Sequence, residues 1–274
     1  MWALEHLWIP RRASVLADTP VALVAGLGAS WLAVASLTHA GWLPSDALGV
    51  VALTATHGGL LAVALAWGSA AAGVRLPPGS ATIMVGLVAA GATAATIHEW
   101  AGVAFVAAPT WLAILARRGR LAGLGLGPGV SARPILVGGL IGALLGSHLL
   151  VSASQTLGYP LRGGDWPILL TRWTYDLGAN VISAECFFRG AVFNRLQRRW
   201  SFGPAAAIAT AFSLVRYLTD QLLPGQSEVV IGALFYTTIL GVVNCWLLWW
   251  SGSLAPGLLS SALFFLAYRV LAIG

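Results

Sequence analysis

Glu185 and Arg189 are the residues whose types and spacing first point to chemistry. They stand four residues apart in NVISAECFFRGAVFNRL, residues 180–196, inside a long apolar run. Side chains at positions i and i+4 of a helix share a face, so this carboxylate and guanidinium suit an ion pair. Burying one ionisable side chain in a membrane span costs about 2.5–3.5 kcal/mol on insertion scales. The spacing leaves two interpretations open, a buried structural pair and the remnant of a catalytic centre.

The composition places these residues in a membrane protein. Of the 274 residues, 58% are hydrophobic and 9% are charged, and the mean hydropathy is +0.83. Soluble domains carry about 25% charged residues. The apolar runs are too long for the strands of a membrane β-barrel, and they do not alternate as such strands do. The sequence therefore predicts an all-α fold, a polytopic transmembrane helix bundle.

Nine apolar runs could cross a membrane, since a spanning helix needs about 20 apolar residues. Proline and glycine clusters separate the runs. The third and fourth runs are short and could form one broken helix, so we predict eight or nine spans. The runs cover residues 18–40, 47–72, 80–97, 100–117, 133–156, 172–196, 204–222, 229–250 and 253–273. We predict one membrane domain, with residues 1–17 as an interfacial segment and residues 18–119 as the N-terminal helices.

The 15 basic residues are all arginines, and their placement predicts the orientation. Cytoplasmic loops carry an excess of arginine and lysine. With a cytoplasmic N-terminus, the outer side holds only Arg162 and Arg172. The cytoplasmic side then holds Arg11, Arg12, Arg75, Arg117, Arg118, Arg120, Arg133, Arg195, Arg198 and Arg199. We interpret the net charge of +6 as this topology signal, and we expect no nucleic-acid partner.

Two histidines, His57 and His148, stand alone in predicted spans. We favour hydrogen-bonded packing residues, and the alternative is that either one binds a pigment or haem in a larger assembly. Cys186 and Cys245 are isolated, so they indicate neither a disulfide framework nor a thiolate metal cluster. We predict no cofactor and no catalytic metal.

The stretch AECFFRGAVFNRL resembles the first signature of the CPBP family of intramembrane proteases. This family includes the CAAX-processing prenyl-protein endopeptidases and bacteriocin-related proteins. The signature is Glu-Glu-x-x-x-Arg, and Glu185 and Arg189 match its second Glu and its Arg. AAAIATAFSLVRYL resembles the second signature, Phe-x-x-x-His, and SGSLAPGLLSSALFFL resembles the third, Gly-Ser-Leu-x-x-Pro before His-x-x-x-Asn/Asp. The resemblance covers about residues 120–270 and implies a CPBP-like core over residues 120–274.

Four positions depart from these signatures. Where the family has Glu, His, His and Asn or Asp, this sequence has Ala184, Arg216, Ser261 and Phe265. Placing the third signature one residue earlier gives Ser260 and Phe264 instead. All five histidines precede residue 149, so no register puts an imidazole at the second or third signature.

The resemblance thus implies a hydrolase scaffold without its reactive groups. Peptide hydrolysis needs a base for the attacking water and donors that stabilise the oxyanion. Alanine takes no proton, and arginine stays cationic and is a poor neighbour for a divalent metal. We expect a multi-pass protein of the bacterial inner membrane that has lost peptidase activity and binds or assembles other membrane subunits. The alternative is an active CPBP-type endopeptidase with a rearranged site that uses Glu185.

Arg216 is expected to fill the place of the lost imidazole. By the family's arrangement, Glu185 is the nearest acid, so we predict that Arg189 and Arg216 hold this carboxylate between them. An unpaired arginine in a dry bundle would be costly. Asp220, one helical turn from Arg216, is the competing partner.

Overall fold

The structure is a computed structural model. The structure describes residues 15–127, 129–162, 166–219 and 227–271. Helices fill most of these ranges, which hold no strand beyond one isolated bridge between Leu161 and Leu271. The predicted all-α fold is confirmed. Most of the predicted interfacial segment 1–17 lies outside the described residues, and its end joins a single helical turn, Val15–Asp18.

Nine apolar helices follow one another in the described ranges, and every predicted run corresponds to one of them. Six of them, α1 to α5 and α8, are long and apolar enough to cross a membrane, whereas α7 and α9 are shorter. The helices are α1 Val21–His39, α2 Ser45–Ala72, α3 Ser80–Ile97, α4 Trp100–Arg117, α5 Ala132–Thr156, α6 residues 166–196, α7 Phe202–Leu218, α8 Ser227–Ser251 and α9 Ala255–Val270.

The chain breaks between α3 and α4 at His98. The backbone of His98 is extended, with φ −158° and ψ 137°. Its side-chain Nδ1 accepts a hydrogen bond of 3.2 Å from the Trp100 amide, which satisfies one of the free N–H groups at a helix start. Helices α3 and α4 are therefore two separate helices rather than one broken helix.

Helices α2 and α6 contain π-helical segments, in which each N–H group bonds to the carbonyl five residues earlier. The segment in α2 is Thr54–Gly58. Helix α6 has two, Asp176–Val181 and Glu185–Phe193, with α-helical residues before, between and after them. The apolar runs predicted plain helices here, because a long apolar run has no period that would distinguish a wider turn.

The chain folds into two compact units. We call the described residues 15–123 and 166–187 the N-terminal unit. We call the described residues 124–127, 129–162, 188–219 and 227–271 the C-terminal unit.

The C-terminal unit is built on a close contact between α5 and α9. A Cβ atom added at Gly142 would run into the backbone of Ser260, and one at Gly138 would run into the backbone of Pro256. The four-residue spacing keeps these glycines on one face of α5. Small residues let membrane helices approach closely, which matters because lipid provides no hydrophobic force between helices.

In the N-terminal unit, α3 packs against α2 and α4. The α6 backbone at Gly178 lies directly against the backbone of Phe105, where a side chain would not fit. Helix α1 lies at the edge of this unit, and none of its residues is buried.

Candidate functional site

Helix α6 carries Glu185 and Arg189 in its second π-helical segment. Both are almost fully buried, with 2% and 3% of their surfaces exposed. Charged groups stay buried only where polar neighbours offset the lost hydration. Ala184, at the position of the family's first glutamate, is partly buried.

The buried acidic, arginine and histidine side chains of the described residues share an unusual backbone. His57, Asp176, Glu185 and Arg189 are all buried, and each lies in one of the three π-helical segments. Single π-turns inside α-helices occur frequently at functional sites. The segments therefore mark these positions, which the pattern of apolar residues did not reveal.

In the N-terminal unit, His57 joins two residues of α6. Its Nε2 lies 3.1 Å from the Tyr175 hydroxyl, and its Nδ1 lies 2.8 Å from Ser183 Oγ. The Ser183 hydroxyl also donates to the Asn180 carbonyl at 3.1 Å. These contacts fit one order of donors, in which Tyr175 donates to Nε2 and the protonated Nδ1 donates to Ser183. We call Tyr175, His57 and Ser183 the histidine chain.

The histidine chain supports packing rather than cofactor binding by His57, because both ring nitrogens are engaged. Next to it, Asn180 Nδ2 donates to the buried Asp176 carboxylate at 3.4 Å. The Phe105 ring meets the Tyr175 ring edge to face, with centroids 5.3 Å apart. Polar and aromatic contacts thus fix the part of α6 that precedes Glu185.

In the C-terminal unit, the Arg189 guanidinium lies against α7 and α8. Nη1 donates to Ser213 Oγ at 3.5 Å. A Cβ atom at Gly241 would stand 2.7 Å from Arg189 Nη2 and 2.8 Å from Thr210 Cγ2. Glycine at this position therefore makes room for the guanidinium between the two helices.

Ser261, at the position of the third-signature histidine, is held by Asn244. The Asn244 Nδ2 group donates to Ser261 Oγ at 2.9 Å and to the Gly257 carbonyl at 3.3 Å. Asn244 and Ser261 are both buried. Asn244 was not among the predicted site residues, although an amide inside an apolar span is itself a signal, because such groups bond across helices.

Phe265, at the position of the family's Asn or Asp, lies in an aromatic cluster. It packs with Phe264 and Tyr268 against buried residues that include Tyr236 and Leu149. The same cluster accounts for the second lone histidine, because His148 Nδ1 lies 2.6 Å from the Tyr236 hydroxyl. Neither Phe264 nor Phe265 brings a polar group to this place.

Arg216 lies in the last turn of α7 and is partly buried. Its pairing with Glu185 stays a prediction, and Asp220 lies outside the described residues.

Comparison with known proteins bears on the second half of the chain. Residues 166–267 match the family described as type II CAAX prenyl endopeptidase Rce1-like. The chain contains an Rce1-like domain. No curated protein and no solved structure matches the chain. The match runs from the first residue of α6 into α9, so it includes all three signatures and agrees with a CPBP family intramembrane protease. The extension of this core to residue 120 stays a prediction.

The Rce1-like domain and the long apolar helices together make this a multi-pass membrane protein with a lipid environment. At the four positions where this sequence differs from the family signatures, the side chains are a methyl group, a guanidinium, a hydroxyl and a phenyl ring. Transition metals in such sites take imidazole, carboxylate or thiolate ligands, so these residues do not fit a metal. Among the described residues, no three His, Cys, Asp or Glu side chains cluster as a metal site.

Proposed function

We propose that this Rce1-like membrane protein has lost peptidase activity and acts as a binding or assembly subunit in the bilayer. The contact between Asn244 and Ser261 carries the proposal. At the position where the family has its third-signature histidine, a buried hydroxyl accepts a hydrogen bond of 2.9 Å from the facing helix. The position thus serves the contact between α8 and α9, and it supplies neither a base nor a metal ligand.

The other departing positions support the same loss. Ala184 has no group that takes a proton from water, and Phe265 packs in an aromatic cluster. The Arg216 guanidinium has five N–H donors and no acceptor, so it offers no base for the attacking water. Hydrolysis of a peptide bond requires a base and a polarising donor set in place together, so the loss of several members leaves little catalysis.

A binding role is supported by α1. This helix of 19 residues is apolar enough to cross a membrane, and it buries none of its residues in the described structure. A Cβ atom at Gly26 would meet no atom within 4 Å, so the helix is open to close approach at this position. Faces rich in small residues are where membrane helices associate. We propose that α1 contacts another membrane subunit, in a bacterial inner membrane and with the N-terminus in the cytoplasm.

The second candidate is an active endopeptidase with a rearranged site. It is favoured by the retained Glu185, which is buried and stands four residues before the retained Arg189 in the sequence. A carboxylate held away from bulk water can act as a general base or acid if a substrate reaches it.

A peptidase assay separates the two candidates. The protein in lipid nanodiscs is incubated with a fluorogenic prenylated peptide ending in a CAAX sequence, beside Glu185→Gln. We expect the same background signal from both proteins. Turnover by the wild type that Glu185→Gln abolishes would establish the second candidate and reject the loss of activity.

The binding role has its own test, independent of the assay. Native membranes are extracted directly into polymer nanodiscs, and the mass of the purified particle is measured by native mass spectrometry. We expect a defined complex with another membrane protein, and we expect Gly26→Leu to dissociate it while the exposed control Leu32→Ile leaves it intact. A single copy of the chain in every particle would overturn the binding role.

A further inference from the structure

One end of the C-terminal unit gathers arginine side chains in a tight turn. Arg195 lies in the last turn of α6, and Arg198 and Arg199 follow before α7 begins. Backbone hydrogen bonds of 2.9 Å, from residues 197, 199 and 200 to carbonyls of residues 193 and 196, fix the turn. The three guanidinium groups are therefore attached to a defined backbone.

Ring contacts join this turn to the end of α8 and the start of α5. Phe202 lies against both Phe193 and Trp249, with centroids 5.8 and 5.0 Å apart. Trp246 stacks on Trp250 at 5.3 Å, and the Arg133 guanidinium lies 5.8 Å from the Trp250 ring centroid. We define the arginine–tryptophan end as Arg133, Arg195, Arg198, Arg199, Trp246, Trp249 and Trp250.

Positive charge accumulates at this end. Within the described part of the C-terminal unit, Glu228 is the sole acidic residue, and it lies in the first turn of α8. Trp250 follows 22 residues later in the same helix, about 33 Å away at 1.5 Å per residue. Burial, and then the charge of Arg195, lower the pKa of Arg198 to about 10. Burial and the charge of Arg195 both disfavour the cationic form of Arg198, and an anion bound beside it would favour that form.

We propose that the arginine–tryptophan end binds the phosphate group of an anionic phospholipid from the bilayer. Guanidinium groups bind phosphate oxygens with two parallel hydrogen bonds, and several arginines suit one phosphate. Tryptophan rings prefer the depth of the headgroups, and Trp200 in the same turn is half exposed. Basic clusters between the ends of membrane helices are suited to anionic headgroups. Acyl chains would lie along the apolar helices, which is why a lipid fits better than a soluble phosphate.

Native mass spectrometry with defined lipids tests the site. The purified full chain is titrated with phosphatidylglycerol, with phosphatidylcholine and with inorganic phosphate. We expect a retained phosphatidylglycerol adduct and a rise in the thermal unfolding midpoint with this lipid only. Equal retention of the two lipids would overturn the proposal, and so would the same rise with inorganic phosphate alone.

A charge-matched pair of variants locates the site. Removing one surface arginine lowers the affinity for anionic lipid about fivefold, so Arg195→Gln with Arg198→Gln should lower it about thirtyfold. Arg117→Gln removes an exposed arginine of the N-terminal unit and should leave it unchanged. A comparable loss in Arg117→Gln would show a general surface effect and overturn the site. If the double variant does not fold, Arg199→Gln replaces it, with an expected loss of about fivefold.

Discussion

The two units treat their buried polar groups in different ways. In the N-terminal unit, the histidine chain links side chains that are 118 and 126 residues apart in sequence, and all three can carry or pass a proton. In the C-terminal unit, the signature positions Ser261 and Phe265 serve helix packing and an aromatic cluster. A helix bundle can therefore keep buried polar groups as a bonded network in one region while packing replaces reactive groups in another.

The two units therefore differ in which side chains could still take part in a reaction. The side chains of the histidine chain have lone pairs and exchangeable protons. The Phe265 side chain, at the signature position of Asn or Asp, has neither. We therefore expect the histidine chain to contribute to the stability of the N-terminal unit, and the close contact between α5 and α9 to contribute to that of the C-terminal unit. Substitutions in each unit can separate these contributions.

Glu185→Ala should lower the free energy of unfolding by about 3–5 kcal/mol, because it would leave the buried Arg189 without its predicted acidic partner. The exposed Asp46→Ala is the control and should change it by less than about 1 kcal/mol. Denaturant unfolding in mixed micelles measures both. The double variant Glu185→Leu with Arg189→Met should be much more stable than Glu185→Ala, because apolar side chains can replace a buried ion pair. A small effect of Glu185→Ala would show that no such pair exists.

Gly142→Ala tests the packing of the C-terminal unit. The new methyl group would overlap the Ser260 backbone, so we expect a loss of about 2–3 kcal/mol. Gly232→Ala, in α8, meets no atom within 4 Å and should be neutral or stabilising by up to about 1 kcal/mol, because alanine favours helix. Thermal unfolding of the two variants side by side measures the difference. Similar midpoints would mean that α5 and α9 do not approach as closely as described.

Ser183→Ala tests the histidine chain. It removes the acceptor for His57 Nδ1, so we expect a loss of about 1 kcal/mol, typical of a hydrogen bond between membrane helices. Ser69→Ala is the control, because the Ser69 hydroxyl bonds only to Ala66 of its own helix among the described contacts. The ring protons of His57 should also shift in NMR spectra of Ser183→Ala. An unchanged His57 spectrum would contradict the contact.

The smallest effect concerns alkaline pH. Burial, the charge of Glu228 and a hydrogen bond to that carboxylate raise the pKa of Tyr159 above its usual value of 10.0. The unfolded chain therefore loses this proton first, and the contribution of Tyr159 to stability is lost as pH rises above 10. Unfolding midpoints between pH 9 and 11 should fall less steeply in Tyr159→Phe and in Glu228→Gln. Identical slopes in all three proteins would disprove the coupling.

Long apolar runs and their proline and glycine boundaries were sufficient to predict the helices, because spanning lengths are set by the membrane. The signature around Glu185 and Arg189 predicted a family whose model matches residues 166–267. The partners were not predictable. His57 with Ser183, and Asn244 with Ser261, meet only through folding, and local spacing contains no information on such pairs. The π-helical segments were missed for a related reason, since the apolar residues around them surround the helix on every side.

The π-helical turn at Asp176–Val181 also changes the angular phase of α6. Such a turn takes in one residue more than an α-turn, so every later side chain is set back by one position. Counted from Tyr175, Glu185 then points in the direction that residue 184 would have in an unbroken α-helix. The π-helical turn thus changes the direction in which a side chain points without any change in the sequence. Glu185, the glutamate retained from the first signature, therefore points in the direction that an unbroken α-helix would give to Ala184.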